Sequence, residues 1–343
     1  LPAGASKGAG VHAAKCTARS VQARFFRMRR LLAIVMGFAA ALLFMPSPGA
    51  AGDAVPPPVT AGQPGPGCRV RVTPPEYPGT DVHHTLFLPT DWSETRRNAG
   101  GRWPVIVEYA GNFHPPSGSE GTVEGAALGY GLTRGEAIWV VLPFVRADGR
   151  GNSPTWWGDE AATVAYAKAN VPRICREFGG DPGRVMLCGF SRGAIAVSFI
   201  GLADDEITKL WCGLLTHDHF DGEREWGTAW GAPLDRYRAA ARARLTRRGS
   251  RPLLVCQAGG TAGIRRWLES SGLPLAGVTY LDVRIATIFP SLPHEIAPGL
   301  EVINGHTDRW VLVDSPDTDT ARAWVKRLLA PGAERADRPA AVP

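Results

Sequence analysis

The 343-residue sequence has no Cys-x-x-Cys pair, no internal repeat and no apolar run of transmembrane length. The first absence excludes the spacings of zinc ribbons and redox dithiols. The second excludes repeat architectures, which show a fixed period. The third argues against a membrane span, which needs about 20 apolar residues. Charge of one sign is also scarce in the body of the chain. The formal net charge is +6, but residues 1–52 hold seven basic residues and no acid, which leaves 31 basic against 32 acidic residues beyond them. A near-neutral body removes the basis for nucleic-acid binding.

With 44% hydrophobic and 20% charged residues, the chain has the composition of a globular protein. Its length suits one large α/β domain. Met28-Arg29-Arg30 precedes an apolar run, Leu31 to Phe44, and small residues follow from Ser47 to Gly52. That order is the pattern of a secretory signal peptide. Translation is expected to start at Met28 and cleavage to fall near Ala50 to Gly52, which places the mature protein in a secreted or periplasmic compartment. An uncleaved N-terminal anchor is the alternative. Of the six cysteines, Cys16 falls in this leader; the remaining five allow one or two disulfides, and Cys188 reads as a core thiol.

Residues 53–67 are proline-rich and read as an extended linker. From residue 68, apolar runs alternate with helical patterns. Strands are expected at 82–88, 104–110, 137–143, 184–189, 210–216, 252–257 and 278–283, and helices at 159–178, 192–203, 234–247, 263–270 and 318–329. The alternation predicts a mostly parallel sheet with helices on both faces. Runs such as Val105-Ile106-Val107 are continuous in hydrophobicity, as burial on both faces requires. One domain over residues 68–330 is expected, followed by a disordered tail over 331–343. Asp159 reads as the cap of the helix that ends at Phe178.

Gly189-Phe190-Ser191-Arg192-Gly193 matches GxSxG between a strand candidate and an apolar helix. The setting matters more than the five residues. A serine in a sharp strand-to-helix turn exposes its hydroxyl, and the flanking glycines let the two backbones approach. A serine hydroxyl is a weak nucleophile, so an imidazole must act as its base and a carboxylate must orient that imidazole. His306, in Asn304-Gly305-His306-Thr307-Asp308, is the candidate base, with His294 in reserve. The acid is expected in His217-Asp218-His219-Phe220-Asp221-Gly222, because the loop from Gln257 to Gly263 contains no carboxylate. Asp221 is favoured on the grounds that Gly222 permits a turn aiming it inward, and Asp218 is the second choice. The backbone amides of Arg192 and Asn112 are the expected oxyanion donors. The Arg192 side chain reads as a surface arginine.

Leu86-Phe87-Leu88-Pro89, the run Arg102 to Val107, the run Gly180 to Val185 and the serine turn resemble the exported polyhydroxybutyrate depolymerase and feruloyl esterase-like group of the α/β-hydrolase superfamily. The resemblance implies an α/β-hydrolase fold and a serine esterase. It also implies an acyl-enzyme route, a small-molecule or polymeric ester substrate and no cofactor. Two rival readings stand beside it. His217, His219 and Asp221 match the front of a zinc-hydrolase motif. Trp156, Trp157, Trp226, Trp230 and Trp310 would instead serve a non-catalytic binding module as stacking platforms.

Overall fold

The computed structural model describes residues 52–332. The expected leader up to Ala51, with its start at Met28, and the tail from residue 333 lie outside the described residues. Among the described residues, no helix is long and apolar enough to cross a membrane.

A nine-stranded sheet forms the centre. In chain order its strands are β1 (Val59–Thr60), β2 (Arg69–Val72), β3 (His84–Phe87), β4 (Trp103–Tyr109), β5 (Ile138–Leu142), β6 (Gly180–Phe190), β7 (Gly213–His217), β8 (Leu253–Ala258) and β9 (Val278–Val283). Their spatial order is β1-β2-β3-β5-β4-β6-β7-β8-β9. Only β3 runs against its neighbours β2 and β5; every other pairing is parallel.

Alternation of side chains along the strands builds two cores from one sheet. Val105, Val107 and Tyr109 of β4 join Val185 and Leu187 of β6 on one face. Ile106 joins Met186 and Cys188 on the other. The first core is closed by α2 (Glu160–Phe178), α3 (Arg192–Phe199), α4 (Leu234–Thr246) and α5 (Ala262–Ser270). The second is closed by α1 (Leu128–Thr133) and α6 (Pro316–Leu328). Strands buried on both sides explain why their sequences show no polar alternation. Each expected strand and helix coincides with an observed element to within a few residues, and Asp159 caps α2 by accepting from the Ala162 N–H.

The proline-rich segment departs from expectation. Residues 54–60 are seated on the domain rather than forming an unpacked linker. The Ala54 N–H donates to the Leu312 carbonyl at 2.7 Å, and Val59–Thr60 pairs with Arg69 and Val70. Proline, which has no N–H to offer a ladder, is tolerated beside such a short edge strand. Cys68, Cys175, Cys188 and Cys256 are free thiols. Cys188 is wholly buried in β6, and burial pushes its thiol well up.

Candidate active site

Ser191 stands between the end of β6 and the start of α3, with φ of 55° and ψ of −119°. A positive φ is unfavourable for a residue with a side chain, so the turn must be held by its surroundings. The Ser191 N–H donates to the His217 carbonyl at 2.9 Å. The two glycines leave no room for anything larger. A Cβ on Gly189 would lie 2.1 Å from the Gly193 carbonyl oxygen, and one on Gly193 would lie 1.9 Å from that of Tyr109. The helix therefore rests directly on the ends of β4 and β6.

Two loops converge on this serine. His306 Nε2 lies 2.9 Å from Ser191 Oγ, and His306 Nδ1 lies 3.1 Å from Asp218 Oδ2. The Asn304 side chain accepts from the His306 N–H, which shapes the turn that presents the imidazole. Asp218 directly follows β7, with φ of 60°. Its other oxygen, Oδ1, accepts from the Ala258 N–H at 2.6 Å. Burial works against the Asp218 carboxylate. It is nonetheless held below its ordinary range by neighbouring His217 and by hydrogen bonds from His306 and Ala258.

Asp221, the favoured acid on sequence, faces elsewhere. Its carboxylate accepts from Arg244 Nε at 2.8 Å and Nη2 at 2.9 Å, and from Ser198 Oγ at 2.9 Å. Gly222 does make a sharp turn, with φ of 81°. That turn packs against Ala241 and Trp267, so it carries the chain toward α4 and turns Asp221 into the core beneath the site. His294 is also elsewhere, against Phe289. The trio of the zinc reading is dispersed: His217 Nε2 donates to the Thr307 carbonyl, Asp221 is held by Arg244, and His219 lies beside the ring of His306.

Around the serine, the Arg192 and Asn112 backbone N–H groups donate to no protein acceptor among the described residues. Arg192 occupies the first turn of α3, where amides lack intrahelical partners. Its side chain corrects the expectation of a surface arginine. It is only 1% exposed, and its guanidinium donates to backbone carbonyls of the loops after β4 and β5.

A mostly parallel sheet in this strand order, with a strained serine between the end of β6 and the start of α3, decides the architecture. The chain has the α/β-hydrolase fold. No protein-family model matches it, and no curated protein does. Among solved structures it is similar to a thermostable esterase at 14% identity and a TM-score of 0.44, over 75% of this chain and 61% of that one. A ferulic acid esterase is similar at 12% identity and a TM-score of 0.41, over 76% and 96% of the two chains. An alpha/beta hydrolase enzyme from a Medee basin deep-sea metagenome library is similar at 14% identity and a TM-score of 0.45, also over 76% and 96%. The chain spans about six tenths of the length of the thermostable esterase.

Two buried carboxylates beside this site were not among the residues singled out on sequence. Glu108, on β4 just before the loop that holds Asn112, is wholly buried and accepts from the Leu128 and Gly129 N–H groups and from Trp139 Nε1. Asp308, two residues beyond His306, accepts from the Ala127 N–H. Two carboxylates thus share the N-terminus of α1. Burial, and then the charge of Asp308, push Glu108 up to about 7. A glutamate inside an apolar strand was the one available signal.

A cavity of about 630 Å³ opens beside His306, bounded by Gly111, Phe190, Arg69, Leu300 and the segment from Val55 to Val59. Across the site, Trp156, Trp226 and Trp230 pack edge to face at 5.0 to 5.4 Å. His219 lies between Trp226 and His306, at 4.9 and 5.2 Å. Burial, and then Arg224, hold His219 at about 3, so it is neutral beside the candidate base. Trp310, a stacking platform in the binding-module reading, is instead fully buried against His217.

Proposed function

We propose that this protein is a serine hydrolase that cleaves a carboxylic ester through an acyl-enzyme intermediate. The observation that carries the reading is the continuous hydrogen-bonded chain from Ser191 Oγ through His306 to Asp218 Oδ2, at 2.9 and 3.1 Å. Asp218 accepts a hydrogen bond from the Nδ1–H of His306, which keeps the proton on Nδ1 and leaves Nε2 with the lone pair needed to take the serine proton. The oxygen of Ser191 attacks the ester carbonyl as His306 becomes an imidazolium beside the Asp218 carboxylate.

The developing oxyanion would be received by the Arg192 and Asn112 N–H groups, the first of which also belongs to the positive end of α3. On collapse, the imidazolium returns its proton to the departing alkoxide, and the alcohol leaves. Water, deprotonated by the same imidazole, then releases the acid and restores the serine. No step needs a cofactor. The substrate class is a small-molecule or polymeric ester reaching the cavity beside His306, and the signal-like order of residues 28–52 supports action outside the cytoplasm. A panel of short-chain and aromatic esters, read with wild type and Ser191→Ala, tests the proposal. Hydrolysis by wild type alone supports it, and equal rates for both refute it.

A further inference from the structure

Arg192 is among the largest fully buried side chains, and among the described residues no carboxylate accompanies it. Burial alone drives its guanidinium well below the ordinary arginine range. A buried cation without a counterion is costly unless its N–H groups are all engaged. Five backbone carbonyls accept from four of its five N–H groups, and every guanidinium nitrogen donates. Nε donates to Gly111 at 3.0 Å and, more weakly, to Ala110 at 3.4 Å; Nη1 donates to Trp156 at 2.7 Å; Nη2 donates to Gly121 at 3.0 Å and Ser153 at 3.2 Å. The face of Phe144 lies 4.2 Å below the guanidinium carbon.

These acceptors belong to the loop that follows β4 and to the loop that precedes α2. The first contains Asn112. In a trans peptide unit the C=O of one residue and the N–H of the next point in opposite directions. Fixing the Gly111 carbonyl on Arg192 therefore fixes the Asn112 N–H pointing away from it. A second tie closes the circuit: the Asn112 side chain accepts from the Trp156 N–H at 2.8 Å, while the Trp156 carbonyl accepts from Arg192. Trp156 has φ of 42°, a conformation that needs such ties to persist.

From this geometry we infer that the Arg192 side chain is the positioning residue of the oxyanion site. Its forked guanidinium sets the 111–112 peptide plane so that the Asn112 N–H is presented to the oxyanion. One residue thus supplies the first donor with its backbone and orients the second with its side chain. Charge alone is insufficient, because the function lies in the fork that bridges Gly111 and Trp156. The inference rests on the serine-hydrolase reading proposed above.

The test uses Arg192→Lys, which keeps a cation on a flexible stem, and Arg192→Ala, each compared with wild type. Steady-state kinetics on an ester are read together with the affinity of a boronic acid that forms a tetrahedral adduct on Ser191 and with thermal midpoints. The expected result is a kcat lowered about a hundred-fold in both variants, with KM changed less than about three-fold and boronate affinity falling in step with kcat. Millimolar guanidinium is expected to restore part of the kcat of Arg192→Ala, and ammonium is not. Wild-type kcat in Arg192→Lys would overturn the inference, as would activity losses that merely follow the folded fraction. If Arg192→Ala does not fold, the kcat and boronate readings on Arg192→Lys decide alone. An inactive wild type that does not bind the boronate would instead refute the serine-hydrolase reading itself.

Discussion

The carboxylate of Asp218 meets the imidazole of His306 across 88 residues of sequence, at 3.1 Å. Asp221, only three residues further on, is wholly buried and clamped by Arg244. The two aspartates of one short loop therefore serve different ends. Asp218→Asn is expected to lower kcat by about a thousand-fold or more with little change in thermal midpoint, because His306 loses the acceptor that fixes its tautomer.

Asp221→Ala should behave in the opposite way. Removal of its carboxylate strands Arg244, whose side chain is 14% exposed, without an ion-pair partner. The expected loss of stability is about 3 kcal/mol, while kcat per folded molecule stays near wild type. Chemical denaturation of both variants, paired with kinetics, separates the roles. Loss of catalysis in the folded Asp221 variant, with Asp218→Asn active, would reverse the assignment.

Gly193→Ala places a methyl group 1.9 Å from the Tyr109 carbonyl oxygen and 2.9 Å from that of Ala110. Both acceptors are backbone, so no rotamer change relieves the clash. Destabilisation of about 3 kcal/mol is expected, with disproportionate loss of activity because the helix that carries Ser191 must lift off the sheet. Urea unfolding gives the first quantity; wild-type stability in this variant would contradict the close approach.

Glu108 makes a pH prediction. Its folded-state value is raised from 4.5 to about 7 by burial and by Asp308, so the native state binds a proton that the unfolded chain has already released. The associated stability is complete in acid, below about 4.5, and is lost as pH rises through about 7. Relative to wild type, Glu108→Gln removes that dependence. The stability difference between the two proteins should therefore shift by up to about 3 kcal/mol in favour of the variant between pH 4.5 and pH 8. Denaturant titrations at both ends measure it, and parallel profiles would show that Glu108 is not protonated there.

Much of the architecture was legible because it rests on local periodicity. Val105-Ile106-Val107 and Arg184 to Gly189 advertise doubly buried strands, and the serine turn needs glycines at fixed positions. What escaped depends on direction rather than composition. Gly222 signals a sharp turn, yet only packing against Ala241 and Trp267 decides where that turn sends Asp221. Arg192 offers nothing in sequence to separate a surface arginine from one gripping five carbonyls. The prolines from 56 to 58 imply extended backbone, and whether that backbone lies on the domain depends on partners such as Leu312 that are distant in the chain.

The central claim is that Ser191 is a nucleophile activated by His306. Its most direct test is mass spectrometry of the protein after incubation with a fluorophosphonate. The account predicts stoichiometric modification, mapped to the peptide that contains Ser191, abolished in Ser191→Ala and strongly slowed in His306→Ala. An unmodified wild-type protein, or label on any other residue, would contradict it.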